Sequence, residues 1–206
     1  MQCYPSAGVS DAMAKTNTMD PGIKPVVKGL KLIGKAYTVK CYPCGIITCH
    51  KALNEVPAGS VLVIDGDGDP NGALWGELTS MEAMQKKVVG VVVDGAVRDI
   101  AGIERLGFPV FARHVTPRVG SNRTVGTTGE SIICGGVIVN TGDLIIGDDD
   151  GVVVIQNERI EEVLAKADAI ETKEATIAKK ITQGAHIADL IGMSSEIEEA
   201  EKASHR

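Results

Sequence analysis

A chain of 206 residues is long enough to bury a core as one domain, or as one domain with a helical appendage. Its formal net charge of −6, with no basic cluster, argues against a nucleic-acid surface and predicts a small-molecule or protein partner. Hydrophobic residues make up 44% but aromatics only 3%, with 24 glycines, a Val, Ile, Ala and Gly mixture that suits a sheet-rich α/β protein with tight turns. No apolar run approaches the roughly 18 residues a membrane span needs, and the start MQCYPSAGVSDAM lacks a charged region followed by an apolar core, so a cytoplasmic protein with no membrane contact is expected.

Along the chain, helical and strand patterns alternate. A helix is expected from near Ser10 or Asp11 in SDAMAKT, followed by a strand at about 36 to 41 in KAYTVKC. The next segment, CYPCGIITCH, carries Cys41, Cys44, Cys49 and His50, residue types that ligate metals. Zinc sites usually bring two ligand pairs separated by a longer loop, and four ligands within ten residues, two of them adjacent, would strain a tetrahedral shell. The segment reads instead as a strand leaving through Pro43 and Gly45 into a helix near ITCHKALNEV, its thiols serving as small apolar groups in a reducing compartment.

SVLVID, 60 to 65, reads as a buried strand. In the loop GDGDPNGALWG, together with Asp65 before it, Asp65, Asp67 and Asp69 alternate like the start of a calcium loop. The sixth and twelfth places of that motif hold Pro70 and Gly76 counted from Asp65, or Gly72 and Leu78 counted from Asp67, so a turn-rich loop shaping a pocket rim is expected instead. From Glu77, ELTSMEAMQKK is helical, VVGVVVD a second buried strand, VRDIAGIERLG a second helix and PVFAR a third strand. Short links between such units imply parallel pairing with right-handed crossovers. Trp75 reads as core packing, and His114 as structural or pocket-lining.

Beyond Arg113 the texture changes. CGGVIVNTGDLIIGDDDGVVVIQ suggests antiparallel strands, with GDDDG at 147 to 151 as a hairpin turn rather than a ligand cluster. One long helix is expected from about 157 to 183, with Ile160, Val163, Ala167, Ile170, Ile177 and Ile181 on one stripe and Glu174 in the middle of it. Past about 193, SSEIEEAEKASHR reads as a charged tail with little to bury. The expected organisation is a core domain over 1–156 and a C-terminal helix with its tail over 157–206.

The chemistry concentrates at Glu77, Arg98 and Asp99, spaced as E-x20-R-D. Ligands in parallel α/β sheets sit outside the carboxyl ends of strands, and both segments leave such ends. Backbone amides at Leu78 and Thr79 are helix-start donors suited to a carboxylate. Arginine offers a planar fork for the carboxylate and carbonyl of a keto acid, and an adjacent carboxylate suits a hard divalent ion. A solvated ion pair near a helix start fits the same spacing.

WGEL, GVVVDGAVRD, PVFAR and GDLIIGDDDGVVV, in this order, identify a resemblance to the RraA-like family over about Val9 to Gln156. That family includes the 4-hydroxy-4-methyl-2-oxoglutarate/4-carboxy-4-hydroxy-2-oxoadipate aldolases. The resemblance implies an α/β protein of swivelling β/β/α fold, assembled as a homotrimer or homohexamer with active sites between subunits. It also implies Mg²⁺- or Mn²⁺-dependent cleavage of a small keto acid to pyruvate, with oxaloacetate decarboxylase activity. Carried over by motif, Arg98 binds the keto-acid oxygens, Asp99 holds the metal, and Gly76, Leu78 and Thr79 form the substrate-binding helix start. Glu77 stands where the aldolases often have aspartate, in the role of positioning a catalytic water. Glu174 would reach a neighbouring subunit's metal site; the other reading leaves it solvated at the stripe's edge. The alternative function within the family is a non-enzymatic regulator that binds a ribonuclease or another protein, and the discriminating residue is Asp99, which a binding module has no chemical need for. No Gly-rich strand-to-helix turn followed by a ribose-binding acid supports a use of S-adenosylmethionine.

Overall fold

The computed structural model describes residues 4–42, 45–121 and 124–204. In chain order the elements begin with helix α1, Ser6–Ala12, and strands β1, Lys24–Pro25, and β2, Leu32–Lys40. Helix α2, Ile47–Glu55, leads to β3, Ser60–Asp65, β4, Ala73–Trp75, and α3, Glu77–Gln85. Strand β5, Gly90–Val97, is followed by α4, Ile100–Leu106, and β6, Val110–Val115. Then come β7, Thr127–Thr128, β8, Ile132–Cys134, β9, Val137–Val139, β10, Leu144–Asp148, and β11, Gly151–Ile155. A 3₁₀ turn, Asn157–Arg159, opens into α5, Ile160–Thr182, with α6, Ile187–Ile191, and α7, Ser194–Ser204, closing the chain.

The main sheet runs β1-β6-β5-β3-β2-β10-β11, with β4 beside β5 and β7 beside β2. Its centre is parallel: β2 pairs with β3, β3 with β5, and β5 with β6. Every residue of β3 and β5 is buried, the signature of strands covered on both faces. The Gly-rich region supplies the antiparallel part, in which β10 pairs with β11 across the GDDDG turn and also with β2, while β8 and β9 form a separate hairpin. The segment before and through β1 spans both sheet edges. Met19 N–H donates to Val152 O at 2.9 Å, Val154 N–H to Asn17 O at 3.0 Å, and Lys24 pairs with Ala112 of β6. The result is a nearly closed, barrel-like sheet.

Three apolar clusters follow from this wrap. One lies between the parallel strands and α2–α4, including Leu53, Ile64, Trp75, Val93 and Ile103. A second fills the barrel around Phe111, Ile23 and the β8–β9 hairpin. The third joins β10 and β11 to α1 and the first half of α5 through Val9, Val153, Val163 and Ala167.

Several boundaries differ from expectation. The first helix starts at Ser6 rather than near Ser10, because Asp148 accepts from Ser6 N–H at 2.8 Å and from Ser6 Oγ at 2.6 Å, an acceptor 142 residues away. Strand β2 begins at Leu32 because pairing with β10, Leu32 opposite Gly147, continues it past Gly34 and Lys35. The last segment is helical as α7, its glutamates, alanines and lysine being helix formers, and its apolar residue Ile197 stays exposed. Among the described residues no helix is long and apolar enough to cross a membrane.

Candidate active site

Strand β5 delivers Arg98 and Asp99 to the carboxyl edge of the sheet. Arg98 N–H donates to Trp75 O at 3.0 Å, which ties the end of β5 to the end of β4. Asp99 then adopts the left-handed region, φ 60°, at the N-cap of α4, a conformation that aspartate tolerates better than most residues. Its carbonyl accepts from Gly102 N–H at 2.9 Å and Ile103 N–H at 3.0 Å, so the backbone turn is held by the helix it starts.

The two side chains meet at Arg98 Nε–Asp99 Oδ2, 3.4 Å, with the side chains 38% and 41% exposed. At that exposure the ion pair contributes little to stability, and both groups remain open to a ligand. Asp99 Oδ2 also lies 3.4 Å from the Glu77 amide at the start of α3. Gly76 makes this approach possible: a Cβ there would stand 2.6 Å from Asp99 Oδ2 and 3.2 Å from Arg98 Cγ.

The first turn of α3 is fixed by its own polar groups. Gly76 N–H donates to Thr79 Oγ1 at 2.9 Å, and Trp75 Nε1 donates to Ser80 Oγ at 2.8 Å. Trp75 is 2% exposed, in keeping with a core role. With the Thr79 hydroxyl engaged at the cap, what this turn can offer a ligand is its backbone N–H groups, at the positive end of the helix dipole.

A cavity of about 190 Å³ collects these parts, with Gly76, Leu78, Thr79, Arg98 and Asp99 on its wall. Five of the residues singled out from sequence are therefore brought together. Ile46, His50, Leu74 and Val119 complete much of the lining. His50 was legible only as part of an unconvincing metal knuckle, yet α2 also starts past a strand carboxyl end, which is the signal that could have found it. Cys41 and Cys49 are buried, with Sγ atoms 3.6 Å apart, as small apolar groups would be. Burial pushes the Cys134 thiol well above its ordinary value, and the hydrogen bond with Cys41, then burial, does the same to Cys49. Pro43 and Cys44 lie outside the described residues.

The other singled-out residues stand elsewhere. The Glu77 carboxylate is turned to α4, where Arg105 Nη2 donates to Oε1 at 3.1 Å, and it lies over Gly102, whose missing Cβ would sit 2.3 Å from Glu77 Cδ. Glu174 is exposed on α5, which packs mainly on α1, α6 and the 3₁₀ turn, and it is not on the cavity wall that holds Arg98. His114 pairs with Ala96 across β5 and β6, outside the cavity wall. Asp65 and Asp67 border a different cleft of about 630 Å³. There Lys40 Nζ donates to Asp65 Oδ2 at 2.8 Å and Asp67 Oδ1 at 3.1 Å. Partial burial works to lower the Lys40 ammonium, but these two hydrogen bonds outweigh it and hold the group above its ordinary value.

Among the described residues no group of three or more His, Cys, Asp or Glu side chains is placed to hold a metal. A hard ion such as Mg²⁺ makes a smaller demand: one or two carboxylates, with water and substrate oxygens completing the shell. Asp99, half-exposed beside the cavity, fits that demand.

The arginine–aspartate pair lies at a strand carboxyl edge beside a helix start, on the wall of a small cavity in a nearly closed α/β sheet. The chain belongs to the RraA-like family: the family model described as "RraA-like: Aldolase/RraA" matches residues 6–154. A relative from Halalkalibacterium halodurans, named "Putative 4-hydroxy-4-methyl-2-oxoglutarate aldolase", is 37% identical over 163 residues, 79% of this chain and 78% of that one. Among solved structures, an uncharacterized protein from Pseudomonas syringae pv. tomato superposes with a TM-score of 0.83 at 28% identity, covering 91% of this chain and 92% of that one. The RNA-processing inhibitor RraA from Thermus thermophilis superposes with a TM-score of 0.68 at 26% identity, over 75% of this chain and 93% of that one.

Proposed function

We propose that this protein is a divalent-metal-dependent aldolase that cleaves 4-hydroxy-2-oxo acids, such as 4-hydroxy-4-methyl-2-oxoglutarate, to pyruvate, and that it also decarboxylates oxaloacetate. The observation that carries the reading is the placement of Arg98 and Asp99 on one cavity wall with the first turn of α3. The guanidinium of Arg98 binds the carboxylate and carbonyl oxygens as a planar fork, and the amides of Leu78 and Thr79 receive the carboxylate. Asp99 would hold Mg²⁺ or Mn²⁺, and the bound ion supplies Lewis acidity toward the keto group. As negative charge develops on the carbonyl oxygen, the positive charge of Arg98 is already in place, which favours the transition state over the ground state. Among the described residues no lysine lines the cavity, and the proposed reaction needs none for a Schiff base.

Retro-aldol cleavage also removes a proton from the substrate hydroxyl and returns one to the three-carbon product. Glu77 is the proposed holder of the water that carries these protons, which requires its carboxylate to exchange Arg105 for that water. His50, which lines the cavity, is a second candidate to carry a proton. Decarboxylation of oxaloacetate leaves the same three-carbon fragment, so one set of groups serves both reactions. A homotrimer or homohexamer would let Glu174 approach a neighbouring subunit's site. A regulator that works by binding another protein would have no use for a half-exposed carboxylate beside an anion-binding arginine, and the aldolase reading accounts for both.

Oxalate, a dianion that offers one oxygen from each of two adjacent carbons as the pyruvate enolate does, tests the site directly. Calorimetry should show oxalate binding that depends on Mg²⁺ and weakens about tenfold or more in Arg98→Lys, since a point charge cannot replace the fork and a charged hydrogen bond is worth about 1.5–3 kcal/mol. Equal binding with and without Mg²⁺, unchanged in the variant, would remove these residues from the site.

A further inference from the structure

The second half of α5 and the short α6 form a groove that the family match, ending at residue 154, does not reach. Thr172, Lys173, Thr176, Ile177, Lys180 and Leu190 line a cavity there of about 380 Å³. Its apolar floor is Ile177 and Leu190, both partly exposed, and its lysines are exposed. Thr172, Lys173, Thr176 and Lys180 occupy a different face of α5 from the stripe that packs on α1 through Val163 and Ala167, and Ile177 lies where the groove meets that stripe.

The same chain carries an element of complementary character. The α7 sequence SSEIEEAEKAS holds four glutamates against one lysine, and Glu196 and Glu199 are exposed. Met193, just before it, and Ile197 fall four residues apart on one face, 44% and 45% exposed. The turn at Gly192, φ 78°, separates α6 from α7 by only two residues, and α6 rests on α5 while Met193 and Ile197 stay about half exposed.

We propose that α7 of one copy docks in the α5–α6 groove of a second copy, with Ile197 and Met193 against Ile177 and Leu190 and with Glu196 and Glu199 against Lys173 and Lys180. Both halves of the contact are present on every chain, so a two-fold arrangement satisfies two grooves at once. The occupant is a second copy because the apolar face and the opposite charges match within one polypeptide. The contact is independent of any chemistry at Arg98.

Light scattering on the full chain tests this through particle mass. The proposal predicts that Ile197→Asp, the pair Lys173→Glu/Lys180→Glu and the pair Glu196→Lys/Glu199→Lys each halve the mass seen for the parent protein. It further predicts that mixing the two charge-reversed proteins in equal amounts restores that mass, because each mixed pair then contains two complementary contacts. All of these substitutions are at exposed positions, and circular dichroism should show the parent helix content. Unchanged mass in the variants overturns the docking, whether α7 folds back on its own chain or binds nothing. A halved mass that mixing fails to restore overturns the pairing of α7 with this groove.

Discussion

Asp99 is the residue on which the site turns. Its left-handed backbone lets one residue both start α4 and hold a carboxylate beside Arg98, and asparagine shares the tolerance for that conformation. Asp99→Asn therefore changes charge with little change in backbone, and it should weaken Mg²⁺ affinity at least tenfold while the melting temperature stays near the parent value. Gly76→Ala is the complementary test, because its Cβ would stand 2.6 Å from Asp99 Oδ2 and must displace that carboxylate. It should reproduce the metal defect with the aspartate still present. If both variants bind Mg²⁺ like the parent in calorimetry, Asp99 is not the ligand. Spacing made Arg98 and Asp99 legible, since both follow directly from the buried run of β5. The partner of Glu77 was not legible, because Arg105 lies 28 residues further on and only the packing of α3 beside α4 brings the two together.

At the scale of elements, the parallel centre was readable wherever burial is continuous. β3 and β5 are apolar runs bounded by turns, and α3 and α4 follow them at short range. What escaped was set by distant partners: the start of α1 at Asp148, the extension of β2 by β10, and the three-residue β4, which is too short to show a period. One such distant contact should dominate local stability. Asp94, 7% exposed, accepts from Arg113 Nε at 2.6 Å and from the Gly135 amide at 2.7 Å, joining β5, β6 and the β8–β9 hairpin. Asp94→Ala leaves a buried amide and a partly buried guanidinium short of an acceptor, at a cost of about 3 kcal/mol. A urea midpoint within experimental error of the parent would show that solvent replaces the carboxylate freely.

For the whole molecule, wrapping the sheet into a near-barrel buries its middle and leaves the carboxyl edge of β4 and β5 as one place where charge is presented beside a cavity. The cavity is small, with Arg98 and the start of α3 on one side and Ile46, Leu74 and Val119 on another, and under the proposed function it takes a three-carbon keto acid by its oxygens. The central claim is that this edge performs carbon–carbon bond cleavage, and pyruvate release by the purified protein measures it most directly. Presented with a panel of 4-hydroxy-2-oxo acids and oxaloacetate, the protein should release pyruvate in the presence of Mg²⁺ or Mn²⁺, stop in excess chelator and resume when the ion is returned. No pyruvate from any substrate with either ion, or an undiminished rate in excess chelator, would contradict it.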